Sequence, residues 1–229
     1  MRIVGLNPST DGFGPRASAA GTHRVNLTTT GGTGSIEVVE FLERLKEDWE
    51  PISKLTSVAW TVFYLLFLVY AAVNNGKFLL PDYVFLPIHE GGHLLFGWFG
   101  ETLGVMGGTL LQLFVPLAIA VYFILRRQIP GTAFAAFFFF ENFLNVATYM
   151  ADARRQQLPL VTAGDADYVE QDWTFMFGKV GLLEHDTSIA AVVRVLGWLG
   201  MIGVVVWLGW RSRASLAGAR SQKSGVGTY

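Results

Sequence analysis

Five stretches of this chain are apolar enough, and long or nearly long enough, to cross a lipid bilayer: residues 57 to 74 ("SVAWTVFYLLFLVYAAVN"), 83 to 100, 103 to 125, 132 to 150 and 188 to 210. A helix needs about 20 mostly apolar residues to bridge the hydrocarbon core. Inside that core every backbone N–H and C=O must be bonded within the protein, which leaves helices or closed barrels as the only spanning forms. The pattern predicts an all-α, polytopic helical membrane protein with four to five transmembrane helices. Only 15% of the residues are charged, against about 25% in soluble domains. Trp60, Tyr70, Trp98, Tyr122, Tyr149, Trp207 and Trp210 fall near segment ends, where aromatic belts form.

The predicted domain plan follows from these runs. Residues 1–35 are rich in Gly, Ser and Thr, lack the apolar core of a secretory signal, and read as a flexible arm in which His23 and the Asn26-Leu27-Thr28 triplet are incidental. Residues 36–56 read as an amphipathic N-terminal helix, lying on the membrane surface or packing on a partner, because Val38, Val39, Leu42, Leu45 and Trp49 recur at three- and four-residue steps. A transmembrane domain covers 57–210, including an acidic extramembrane loop at 151–187, and a polar tail covers 211–229. Asp165, Asp167, Glu170, Asp172, Glu184 and Asp186 in that loop read as solvated charges. Arg126, Arg127, Arg211 and Arg213 favour a cytoplasmic C-terminus, while Arg154, Arg155 and Lys54 oppose it.

Formal net charge is -1, so no basic field exists to gather nucleic acid, and the partners expected are the bilayer and other membrane proteins. Cysteine is absent, which excludes disulfides, thiolate metal sites and cysteine nucleophiles. Any metal must be held by His, Asp or Glu.

"FLPIHEGGHLLFGWFG", residues 85 to 100, places three ionisable groups in an otherwise apolar run. His89 and His93 are four apart, so on a helix both imidazoles project from one face on adjacent turns, at the separation one zinc ion requires. Glu90 stands beside the first, within reach of a metal-bound water, which is the HExxH arrangement of zinc peptidases. The competing reading is a polar cluster that ties helices together by hydrogen bonds. Unpaired ionisable groups at membrane depth cost several kcal/mol, and a metal removes that cost.

A third ligand is sought on the phenylalanine-rich helix that follows, where Glu141, Asn145, Thr148 and Asp152 fall on one stripe. Asp152, Glu141 or Asn145 could complete the metal site or hold a substrate backbone. His185, at the start of the last helix, is another candidate ligand or a solvated side chain, and Asp186 or Thr187 can cap that helix. Gly104 and Gly108 read as helix-packing positions, Gln112 as an amide donor, and the adjacent Gly91 and Gly92 as a place where another backbone passes the metal face.

His89, Glu90 and His93 in an apolar helix, "GGTLLQLFVP" on the next, and an acidic residue on a later one resemble the site-2 protease family of intramembrane zinc metalloproteases. The resemblance covers roughly residues 80 to 155, and HEGGH is its specific motif. It implies zinc held by His89 and His93, Glu90 as general base, and Asp152, in "YMADARRQ", at the place of the family's acidic third ligand. The chain also resembles a family of uncharacterised bacterial membrane proteins that share "ADAR" and "LLEHD" segments.

The function expected is hydrolysis of peptide bonds in membrane-embedded substrates, with zinc polarising the scissile carbonyl, Glu90 activating water, and Gln112 or Asn145 holding the unwound substrate. The expected location is the bacterial inner membrane. Two alternatives stand beside this: a non-catalytic subunit of a larger membrane complex retaining the HExxH residues, and a di-iron carboxylate site using Glu90, His93 and Glu141, which lacks a second Glu-x-x-His pair.

Overall fold

The computed structural model of the chain describes residues 48–158 and 171–225. The predicted arm at 1–35, most of the predicted surface helix at 36–56, and Asp165, Asp167 and Glu170 lie outside them. Residues 48–53, the described part of that helix before the first span, are not helical.

Helix α1, Lys54–Val73, begins where Ser53 turns extended and its Oγ accepts the Thr56 N–H at 3.1 Å. It ends where the Asn74 amide donates to the Tyr70 carbonyl at 2.9 Å. Helix α2, Asp82–Phe96, carries the HEGGH motif and starts after Pro81. A 3₁₀ turn at Gly97–Phe99 and Gly100, whose φ of +105° suits glycine, reverse the chain into α3, Glu101–Leu125. Helix α4, Ile129–Ala151, opens with proline in its first turn, where no intrahelical N–H is needed. Helix α5, Asp172–Val180, ends at Gly181 with φ +71°, and a 3₁₀ turn at Leu183–His185 leads into α6, Asp186–Gly225. Residues 211–225, predicted as polar tail, therefore continue the last helix.

No strand occurs among the described residues. Among the described residues, three helical segments are long and apolar enough to cross a membrane: Lys54–Val73, Glu101–Leu125 and Leu183–Ala214. Their outer faces expose Leu66, Val69, Phe114, Val192, Leu199 and Val206, as a lipid-facing surface does. The protein is an integral membrane protein by this pattern. Helix α2 has 15 residues, so it rises about 22 Å, less than the hydrocarbon core of about 30 Å.

Helix α4 sits between α3 and α6, and α2 packs against α3. In lipid the hydrophobic effect does not drive helices together, so close approach of small residues has to. A Cβ on Gly92 would collide with the Gly107 carbonyl, and one on Gly200 would collide with the Phe140 ring. Aromatic packing fills the other side of α4, where Tyr64 lies 4.6 Å from Phe137 between ring centroids. These contacts bring α2 and α4 to one polar face of α3, where Gln112 reaches residues of both.

Candidate metal centre

His89 and His93 face α3 from adjacent turns of α2, their ring centroids 4.7 Å apart. The space they occupy exists because residue 108 has no side chain. A Cβ there would lie 2.5 Å from His93 Nε2 and 2.6 Å from His89 Nε2. The predicted packing role of Gly108 is thus a vacancy beneath two imidazoles, and Gly92 carries the predicted backbone approach. Gly91 has only the Leu111 side chain near it, at 3.9 Å.

The tautomer of each imidazole follows from its partners. Asn142 Nδ2 donates to the Phe138 carbonyl at 2.8 Å, which turns Asn142 Oδ1 toward Gln112. Gln112 Nε2 donates to Asn142 Oδ1 at 2.8 Å and to Asn145 Oδ1 at 3.0 Å. Gln112 Oε1 is left to accept from His89 Nδ1 at 2.9 Å. His93 Nδ1 faces the Gly104 carbonyl at 2.8 Å, another pure acceptor. Both Nδ1 atoms therefore carry the proton, and in neutral rings both Nε2 atoms present lone pairs.

Asp172, the first residue of α5, stands opposite those lone pairs. Its Oδ2 lies 3.0 Å from His89 Nε2 and 3.3 Å from His93 Nε2. Two ligands bound at about 2 Å by one tetrahedral ion lie roughly 3.3 Å apart, so the spacing suits a small cation. These three residues can each offer one ligand atom, all within 4.8 Å of one another. Burial opposes ionisation of Asp172, yet His89 and His93, which donate to it from Nε2 when protonated, outweigh burial and hold the carboxyl below the usual carboxylate range.

Helix α5 is held in place by its own apolar face. Trp173 and Phe177 bury against Val146, Ala147, Met150 and Ala190. Gln171 donates to the Tyr149 carbonyl at 3.1 Å, and the Thr174 hydroxyl donates to the Ala153 carbonyl. Arg154 reaches Asp186 at 2.6 Å and Glu184 at 3.1 Å, joining the end of α4 to the start of α6.

Asp152, predicted as the third ligand, is placed elsewhere. Its carboxylate accepts the N–H groups of Gln157 at 3.0 Å and Leu158 at 2.9 Å, closing the turn after α4. The carboxylate beside the histidines is Asp172, predicted as one of the loop's solvated charges. Its signal was local: "DWTFMF" has an acid opening an aromatic run, and such a segment seeks a partner surface. Glu141 is fully buried in α4 and His185 is exposed in the turn before α6, and neither joins the cluster.

Glu90 is half-buried and lines, with His89, Gln112, Asn145, Thr148 and Tyr149, a cavity of about 320 Å³. The arrangement joins a potential cation site, a carboxylate without an assigned hydrogen bond, and a mostly apolar chamber with amides on its wall. Compared with known proteins, the chain matches no family model, no curated protein and no solved structure.

Proposed function

We propose that the chain is an intramembrane metallohydrolase of the zinc metalloprotease kind, with His89, His93 and Asp172 as metal ligands and Glu90 as general base. The observation that carries this reading is the convergence of two Nε2 lone pairs and the Asp172 Oδ2 on one point, with both Nδ1 protons committed elsewhere. Three acceptors meeting without a proton among them require a positive charge. Imidazoles and a carboxylate are zinc's ordinary donor set, and His89 and His93 have the hydrogen-bonded outer partners that orient metal-ligating histidines.

When bound, zinc supplies Lewis-acid polarisation of a carbonyl and an acidified water. Glu90, one residue from His89 and facing the same cavity, takes the proton of the attacking water and returns it to the leaving amine. Asn145 and Thr148 on the cavity wall offer partners to a substrate backbone freed from its own helix, which has no water to bond within the membrane. In this reading α2 and α4 lie within the bilayer beside the three long apolar helices, which makes five membrane helices in all. The substrate is a membrane-embedded polypeptide and the location the bacterial inner membrane.

A second reading has one observation in its favour. At 3.0 Å the contact of His89 with Asp172 is also a good hydrogen bond if His89 is protonated, which would make the cluster a polar clasp in a non-catalytic subunit of a membrane complex. Elemental analysis of the detergent-purified chain separates the two. About one zinc per chain, with Glu90→Gln retaining metal but losing cleavage of membrane peptides, supports the hydrolase, whereas a metal-free protein of full stability overturns it.

A further inference from the structure

Glu141 lies in the middle of α4 with no exposed surface, and neither carboxylate oxygen has a hydrogen-bond partner. Asp82, at the start of α2 and 2% exposed, is the charged group acting on it. Asp82 Oδ2 accepts the Leu79 N–H at 2.6 Å, while its Oδ1 is also without a partner. Both Glu141 oxygens are thus unmet, and Asp82 Oδ1 has only the Asn145 amide beside it. Two anions that act on one another in a low-dielectric interior repel, and leaving both ionised and bare is costly.

The unmet atoms are all acceptors, so the missing partner carries positive charge. Among the described residues, no cationic side chain of the surrounding helices supplies it. On α4 and α3, Asn142 and Gln112 are committed to the His89 chain, and Asn145 lies beside Asp82. On α6, Arg194 donates to the Thr148 hydroxyl at 3.3 Å. Lys77 is an exposed residue on the cavity wall, and the buried Tyr64 hydroxyl on α1 has no partner of its own. Asp82 lines the cavity shared with His89 and Glu90, which gives a small ion a route from that chamber.

We propose that Asp82 and Glu141 form a second site, distinct from the His89–His93–Asp172 centre, that takes up one positive charge, either a proton shared by the pair or a sodium-sized cation. Hard oxygen donors suit hard cations, and one positive charge between the two carboxyls leaves a single negative charge shared by the pair in place of two. This inference does not depend on the metal centre being catalytic.

Infrared difference spectroscopy on the full chain in lipid nanodiscs at neutral pH tests it, in sodium chloride and in choline chloride, with Glu141→Gln and Asp82→Asn beside the parent. A protonated-carboxyl band in the parent in both salts, lost in one of the two variants, supports the proton. A band seen only in choline, with a thermal midpoint raised by sodium in the parent and not in the variants, supports the cation. Absence of the band in both salts together with a sodium-independent midpoint overturns the proposal, as does a band that persists unchanged in both variants. The parent spectra alone are decisive on the first point, so a variant that fails to fold does not remove the test.

Discussion

Gly108 and His93 are matched as floor and occupant: a methyl group on Gly108 would sit 2.5 Å from His93 Nε2, inside any van der Waals contact. Replacing Gly108 by Ala should favour helix α3 by up to about 1 kcal/mol through propensity alone. It should nevertheless displace the imidazoles and cut zinc well below one per chain. Retained helicity by circular dichroism with low metal content is the expected pair of results, and full metal content in that variant would contradict the geometry.

Asp172 and Asp152 differ in what they hold, and the difference is measurable. Asp172→Asn should weaken zinc binding tenfold or more, since an amide is a poor ligand in place of a carboxylate. Asp152→Asn should leave zinc content unchanged and instead lower thermal stability by about 1 kcal/mol, because two backbone N–H groups lose a charged acceptor. Zinc titration and thermal melts of both variants check this, and metal loss in Asp152→Asn alone would reverse the assignment.

Gln112 touches no metal ligand atom, yet it fixes the tautomer of His89. Gln112→Leu should remove the acceptor for His89 Nδ1–H and lower zinc affinity by about 10- to 100-fold, the usual cost of losing an outer partner. Gln112→Glu keeps an acceptor for Nδ1–H but sets its second oxygen against the Asn142 and Asn145 Oδ1 atoms, so it should recover only part of the loss. Equal affinities for the two variants would count against an orienting role.

Acid should release the metal from the histidines first. Metal ligands must be deprotonated to bind, and a free imidazole protonates near pH 6.5 (roughly). Asp172 is held below the usual carboxylate range, so its contribution to folding is present above the unfolded carboxyl value and is lost only as pH falls through its lower folded value. Zinc content followed by equilibrium dialysis should therefore drop on the acid side of the imidazole range, while Asp172 is still ionised. A zinc content that stays constant from neutral pH down through the imidazole range, at free zinc near the dissociation constant, would count against ligation by histidine.

Hydropathy runs and the HEGGH spacing made the helical membrane fold and two of the three clustered residues legible, because both rest on local periodicity. Gln112 was legible as an amide donor in a small-residue helix, though its target was not. Asp172 was hidden because 83 positions separate it from His89, and no local pattern states which surface a short aromatic helix will cover. Asp152 drew attention as the last polar residue of a stripe, but a helix end offers its own acceptors and donors, and the turn after α4 claimed it. The shortness of α2 was likewise not readable from the apolar run, since the glycines that close it, Gly97 and Gly100, lie within that run.

The seating of α5 has a thermodynamic corollary. Because the acid belongs to a nine-residue helix and the imidazoles to α2, occupancy of the centre and docking of α5 are linked equilibria. Whatever factor docking contributes to metal affinity, metal must return to docking. A ligand that pries α5 away would act as a chelator without ever touching the ion.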